Sequence, residues 1–237
     1  MQKLVITIIT AVILIVFGIV FFYFKAEENK LTEENEDLYA HNTIKEDQSA
    51  QLILAQKYQG LDIIYGLDNA PIKIIEYISY GCPHCAEFFK LSHQGYLQQY
   101  VSQGKIQLIL RDFPLDEPSL RASQLVHCTA QTKRKQMVSV LLEKQSSWAH
   151  NKNFPEKLEN LAKISGMSGG DFHECMLNNS LERSILASRV QAQNVFQVYS
   201  TPTIIINGNK YLGGINQKQL PKYLDSLLTK ISKQHNE

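Results

Sequence analysis

Ile72-Lys73-Ile74-Ile75-Glu76-Tyr77-Ile78-Ser79-Tyr80-Gly81-Cys82-Pro83-His84-Cys85, continued by Ala86-Glu87-Phe88-Phe89-Lys90, reads as a strand that stops at Gly81 and feeds a helix. The strand is apolar on both faces except at Glu76, as a central strand covered by helices should be. Both cysteines then fall in the first helical turn, where backbone N–H groups lack partners and the macrodipole is positive, so a thiolate is favoured over a thiol. Pro83 suits this turn because its missing N–H removes no helix bond. Cysteines three apart can close a small disulfide that opens easily and serves as a reagent. Two rival readings are weaker. Structural zinc needs four ligands, and no second C-x-x-C or H-x₃₋₅-H completes a set, so no metal is expected. A purely structural disulfide is rarely placed in a strand-to-helix turn behind Pro-His.

The chain has 237 residues, 44% of them hydrophobic and 20% charged, with a formal net charge of +1, which suits one globular domain plus an addition. Near-neutral charge argues against nucleic acid as the main partner. The addition lies at the start. Leu4 to Phe24 is a run of 21 residues without a charge, about 31 Å long as a helix and matched to a bilayer core. It ends in Phe22-Tyr23-Phe24-Lys25 rather than in the small residues of a signal-peptide cleavage site, so 1–24 is expected to be an uncleaved transmembrane anchor. Only Lys3 and Lys25 lie close to the span, and the terminal amine favours an N-inside orientation that leaves the bulk of the protein outside the cytoplasm. Residues 25–60 form a polar, acidic tether: Lys25 to Ala50 carries eight acids against three lysines. Leu31 and Leu38 are seven apart, but the next heptad position is Lys45, which disfavours a coiled coil.

The folded part begins near Leu61, with a short edge strand at Asp62-Ile63-Ile64-Tyr65 and a turn at Asp68-Asn69-Ala70-Pro71. After the helix expected over 83–102, with a weak point at His93-Gln94-Gly95, Lys105 to Leu110 gives a second strand that a right-handed crossover would make parallel to the first. From Pro118 to Phe196 the period is helical, with breaks at Asn151-Lys152-Asn153-Phe154-Pro155, Gly166 and Gly169-Gly170. Asp171 is expected to cap a short helix carrying Cys175, and Asn179 with Glu182 to cap the next. Strands return at Thr201 to Ile206 and Lys210-Tyr211-Leu212 around an Asn207-Gly208 hairpin turn. A final helix has its apolar stripe at Leu220, Tyr223, Leu224, Leu227, Leu228 and Ile231. The order is β-α-β, helical insert, β-β-α, dividing the folded part into 61–116, an all-helical 117–196, and 197–237.

In that order, from about Asn69 to Leu228, the chain resembles the DsbA-like thiol:disulfide oxidoreductases of the thioredoxin-fold superfamily. The resemblance rests on Ile75 to Cys85, on Arg111-Asp112-Phe113-Pro114-Leu115, and on Ser200-Thr201-Pro202-Thr203 followed by Ile206-Asn207-Gly208. It implies an α/β thioredoxin-like fold, a central sheet flanked by helices with an inserted helical domain, here behind a transmembrane helix. Cys82 would be the exposed nucleophile and Cys85 the buried resolving thiol. Pro202 would be the cis-proline facing them, with Thr201 offering its backbone to a bound peptide. Pro83 and His84 would lie within the redox motif, His84 tuning its poise. Glu76 matches a buried acid near Cys85 that can relay a proton, the alternative being an ordinary exposed strand residue. No cofactor is called for. The substrates would be reduced exported proteins, and reoxidation would come from a DsbB-like quinone-coupled membrane protein held in the same inner membrane. A reductase or isomerase on the same fold, a helper for one client such as a haem-attachment apoprotein, and an inert tethered binding module stay open as alternatives.

Cys128 and Cys175 complete the four cysteines. In an exported protein, free thiols beside an oxidant should pair, and the bond would close a loop of about 47 residues worth on the order of 4 kcal/mol. The alternative leaves both as buried small apolar side chains. His41, His93, His127, His150, His173 and His235 receive no assigned chemistry.

Overall fold

The computed structural model describes residues 61–91, 95–212 and 218–234, together with Gly18 and Lys25. The chain divides into two compact units, Met1–Ile44 and Lys45–Glu237, and every element named here belongs to the second. Among the described residues no helix is long and apolar enough to cross a membrane. The anchor expected over 4–24 and the tether over 25–60 lie outside them apart from Gly18 and Lys25.

Five strands form one sheet in the order β1-β3-β2-β4-β5: β1 (Ile63–Tyr65), β2 (Ile72–Ile78), β3 (Ile106–Asp112), β4 (Thr203–Ile206) and β5 (Asn209–Leu212). β2 and β3 are parallel neighbours, as a right-handed crossover requires, and the other pairings are antiparallel. β3 runs through Arg111 and Asp112, beyond the expected end at Leu110, because it stays in register with β2 up to Ile78↔Asp112. Asn207-Gly208 makes the β4–β5 turn, with both residues at positive φ, the backbone that a two-residue hairpin demands.

Alternation along the strands sorts the core. Ile72, Ile74, Leu108, Ile204 and Ile206 pack beneath α1 (Pro83–Leu91), α2 (Leu97–Ser102) and α9 (Leu220–Gln234), meeting Phe88, Leu97, Leu220 and Leu224. Ile75, Tyr77, Ile109 and Ile205 face the other way, against Ala192 and Phe196 of α8 (Asn179–Phe196). Each such side chain contributes about 1.5–3 kcal/mol by leaving water. Of the helix expected over 83–102, the described residues form α1 up to Leu91 and, after a π turn at 95–96, α2 from Leu97; residues 92–94, at the expected weak point, lie outside the described set.

The insert comprises α3 (Glu117–Cys128), a 3₁₀ turn at Gln131–Lys133, α4 (Arg134–Glu143), α5 (Gln145–Trp148), α6 (Phe154–Ile164), α7 (Gly169–Met176) and α8. It is no separate body: Leu125, Val126, Leu141, Trp148 and Phe172 share one buried cluster with Cys82, Cys85 and Phe89. Two caps differ from expectation. Ser168, not Asp171, caps α7, its hydroxyl accepting from Asp171 N at 3.1 Å. Asn178, not Asn179, caps α8, accepting from Leu181 N at 3.0 Å. In both, a non-helical residue with a side-chain oxygen lies just ahead of the first helical φ/ψ, where it reaches the orphan N–H groups.

Candidate active site

β2 ends at Ile78 and hands the chain through Ser79-Tyr80-Gly81 to α1. Cys82 N donates to Ser79 O at 3.0 Å, and Cys82 O accepts from Cys85 N at 3.1 Å and Ala86 N at 3.2 Å, so Cys82 is the pivot between strand and helix. Both cysteines are thiols. Cys82 is 7% exposed and Cys85 is fully buried, whereas Pro83 and His84 are exposed beside them. Opposite lies the cis peptide Thr201–Pro202, whose Thr201 carbonyl accepts from Cys82 Sγ at 3.3 Å.

The two thiols are driven apart in acidity. A hydrogen bond from the Cys85 thiol holds the Cys82 pKa down at about 5 against its burial, helped by the Thr201 hydroxyl and the N–H groups of Cys85 and His84. The Thr201 hydroxyl is buried without a partner among the described residues while Cys82 is a thiol; the thiolate gives it an acceptor. Cys85 is pushed well above the usual thiol range, first by burial, then by its hydrogen bond to Cys82 and the charge of Glu76. One proton is thus held on the inner sulfur and the outer sulfur is the nucleophile.

The catalytic turn is gripped by the helical insert, which the sequence did not suggest. Ser119, in the first turn of α3, accepts from Gly81 N at 3.1 Å and from Ser79 Oγ at 2.9 Å, and is itself placed by Asp116, which caps α3 through Ser119 N at 2.8 Å. A side chain on residue 81 would bring its Cβ within 2.5 Å of Ser119 Oγ, so only glycine allows this approach. Gln145 Nε2 donates to Tyr80 O at 2.7 Å and to Cys82 O at 2.9 Å. The Asp116 cap was legible as an acid ahead of a helical run. A lone glutamine on a helix carries no such signal.

Glu76 is fully buried, which removes the exposed-strand alternative. Strand alternation puts it on the α1 face with Ile74 and Ile78, between Leu110 and Ile204. Its charge helps push up Cys85, Tyr80 and Tyr65. His127, without a role from sequence, is buried against Asp112, which also accepts from Ser123 Oγ at 2.8 Å. Cys128 and Cys175 are disulfide-bonded, Cα–Cα 5.9 Å, tying α3 to α7. Among the described residues no group of three or more His, Cys, Asp or Glu side chains could hold a metal ion.

Comparison with known proteins follows the same lines. A protein of Rickettsia conorii, provisionally named a protein-disulfide oxidoreductase, is 25% identical over 148 residues, 62% of this chain and 53% of its own. The chain spans about half the length of the curated Rickettsia relatives it matches. Among solved structures, alpha-DsbA1 of Wolbachia pipientis superposes with a TM-score of 0.70 at 26% identity, covering 78% of this chain and 98% of that one. A protein-disulfide isomerase of Novosphingobium aromaticivorans, 22% identical, TM-score 0.60, covering 70% and 97%, shares the fold. The thioredoxin family model matches residues 58–226, and on that match, with the DsbA structures beside it, the chain belongs to the thioredoxin family, among its DsbA-like members.

Proposed function

We propose that this chain is a thiol:disulfide oxidoreductase that hands a Cys82–Cys85 disulfide to reduced substrate proteins outside the cytoplasm. The observation that carries the reading is the placement of the two thiols: Cys82 stands at the start of α1 with its Sγ 3.3 Å from the carbonyl of the cis Thr201–Pro202 peptide, and Cys85 is fully buried behind it, surroundings that pull the Cys82 pKa down to about 5 and push Cys85 up. A stabilised thiolate makes the reduced form the more stable one, and such a protein oxidises others. A substrate thiolate attacks Cys82 and expels Cys85, forming a mixed disulfide. A second substrate thiolate then takes the Cys82 sulfur's place, leaving the substrate disulfide and both enzyme thiols. Glu76 serves as the proton partner of Cys85, Pro202 and Thr201 as the rim against which an extended peptide lies, and His84 as the tuner of poise. The Cys128–Cys175 bond is structural.

Residues 4–24 anchor the chain in the inner membrane with the catalytic unit outside, beside a DsbB-like quinone-coupled membrane protein that reoxidises it. The low Cys82 value favours net oxidation over reduction or isomerisation. Acid trapping and alkylation of Cys82 in growing cells tests this. A predominantly disulfide population is expected, and a predominantly dithiol one would transfer the chain to the reductases or isomerases.

A further inference from the structure

The mechanism leaves one buried lysine unused. Lys210, in β5, pairs with Ile205 across the hairpin. Residues directly opposite share a face, so its side chain follows Ile205 toward Ala192 and Phe196 of α8. It is 7% exposed, and its ammonium donates to Phe196 O at 3.2 Å and to Gln197 O at 3.0 Å. No carboxylate among the described residues pairs with it. Burial lowers its pKa, as befits an ammonium taken out of water. Such a charge is unfavourable inside a protein, and the partial negative charge at the C-terminus of the 18-residue α8 offsets only part of the penalty. A well-packed apolar side chain often serves such a place as well or better, so the value of this lysine lies in what its charge holds.

It holds the origin of the segment that reaches Cys82. Gln197 ends α8 in the left-handed region at φ 51, and Val198 N turns back to Ala192 O at 3.0 Å, a closure common at helix C-termini. Between there and β4 the backbone is tied step by step. Val198 is fully buried beside Phe113, Phe196 and Ile205. Ser200 O accepts from Thr203 Oγ1 at 2.7 Å. Thr201 O accepts from Cys82 Sγ at 3.3 Å. With so little slack between 197 and 201, a displacement at the end of α8 is passed on to the atoms that face the nucleophile.

We infer that Lys210 is a positioning residue of the oxidoreductase site: by gripping the last carbonyls of α8 it fixes where the segment 197–202 begins, and so where the Thr201 backbone stands against Cys82 and an incoming peptide. This rests on the reading of Thr201 and Pro202 as the rim for an extended peptide and adds the side chain that holds the rim in place. An extended peptide is held by main-chain hydrogen bonds, whose N···O distances fall within about 2.7–3.2 Å, so a rim displaced by a fraction of an ångström loses a bond. A small thiol attacking Cys82 makes no such bonds. Lys210 therefore acts on peptide substrates and leaves the chemistry of the Cys82–Cys85 disulfide alone.

The test follows oxidation of an unstructured synthetic peptide carrying two cysteines, and separately of dithiothreitol, by the full chain in detergent micelles, with glutathione disulfide to recycle it. Lys210→Met keeps the apolar stem and removes the ammonium. It should raise KM for the peptide about tenfold, the worth of one or two main-chain hydrogen bonds, with kcat and the dithiothreitol rate within about threefold of the wild type. Thr203→Val, which cuts the tie at Ser200, should shift the peptide KM in the same direction. Lys210→Gln keeps an N–H donor without the charge and, where Lys210→Met does not fold, is read by the same comparison. A wild-type peptide KM in whichever of these Lys210 variants folds, even a destabilised one, overturns the assignment and leaves the lysine a structural group. Peptide and dithiothreitol rates falling together overturn it as well, because the whole site rather than the rim would then have moved. If the wild-type chain itself does not oxidise the peptide, the oxidoreductase reading fails and this inference with it.

Discussion

The side-chain amide of Gln145 donates to the carbonyl oxygen of Cys82 at 2.9 Å while its second hydrogen reaches Tyr80 O at 2.7 Å. A residue of the helical insert thereby bridges the backbone on both sides of Gly81, and the Cys82–Cys85 turn keeps the shape in which N–H groups point at the outer sulfur. Gln145→Met preserves volume and removes both donors. The change should cost about 1–3 kcal/mol of stability and raise the Cys82 pKa, read by urea unfolding and by thiolate absorbance near 240 nm. A variant unchanged in both would mean that the bonds do not position the nucleophile.

Stability of the reduced chain should depend on pH through Cys82. Its folded value of about 5 is depressed below that of the unfolded chain. The stabilisation is therefore complete above the unfolded value and disappears as pH falls through about 5. At pH 7, two units above the folded value, the undiscounted shift corresponds to about 3 kcal/mol, and solvent screening of a sulfur this near the surface reduces it to about 1–2 kcal/mol. The oxidised chain has no such group. Urea unfolding of both redox forms should show their difference shrinking by about 1–2 kcal/mol between pH 7 and pH 4, and parallel pH dependences would contradict the assignment.

His84 acts on Cys82 partly through its backbone N–H, which any residue but proline supplies. Its exposed side chain adds only what an imidazole at a helix N-terminus can add. His84→Ala should therefore make the protein less oxidising by about tenfold in its equilibrium with glutathione, or about 30 mV. An unchanged or more oxidising potential would dismiss the side chain as a tuner.

Loss of the Cys128–Cys175 bond should act on stability and spare the reaction. Replacing both by Ser removes a crosslink over a sequence separation of 47, costing on the order of 4 kcal/mol, with thiol-exchange rates at Cys82 within about twofold of the parent at temperatures where the chain is folded. In Cys82→Ser/Cys85→Ser protein, mass spectrometry should find no alkylatable thiol without reductant. Two alkylated thiols would refute the pairing.

The sequence by itself determined whatever depends on neighbours along the chain. The apolar run of β2, the C-x-x-C at the start of α1, the Asn207-Gly208 turn and the stripe of α9 are patterns of period and backbone preference within a few residues, so they are legible without the fold. Element ends were less secure: Asp171 and Asn179 stood in for Ser168 and Asn178 because several side-chain oxygens compete to cap one helix, and local φ/ψ chooses among them. Only the tertiary structure decided the burial of Glu76, since a carboxylate in a strand is exposed or enclosed according to which helix lies over that face. It also decided the grip of Ser119 and Gln145 on the catalytic turn and the seat of His127 against Asp112. Gln145 and Cys82 are 63 residues apart in sequence. A hydrogen bond between groups so far apart leaves no period and no spacing, because it exists only after hydrophobic packing has brought the two helices to the same place.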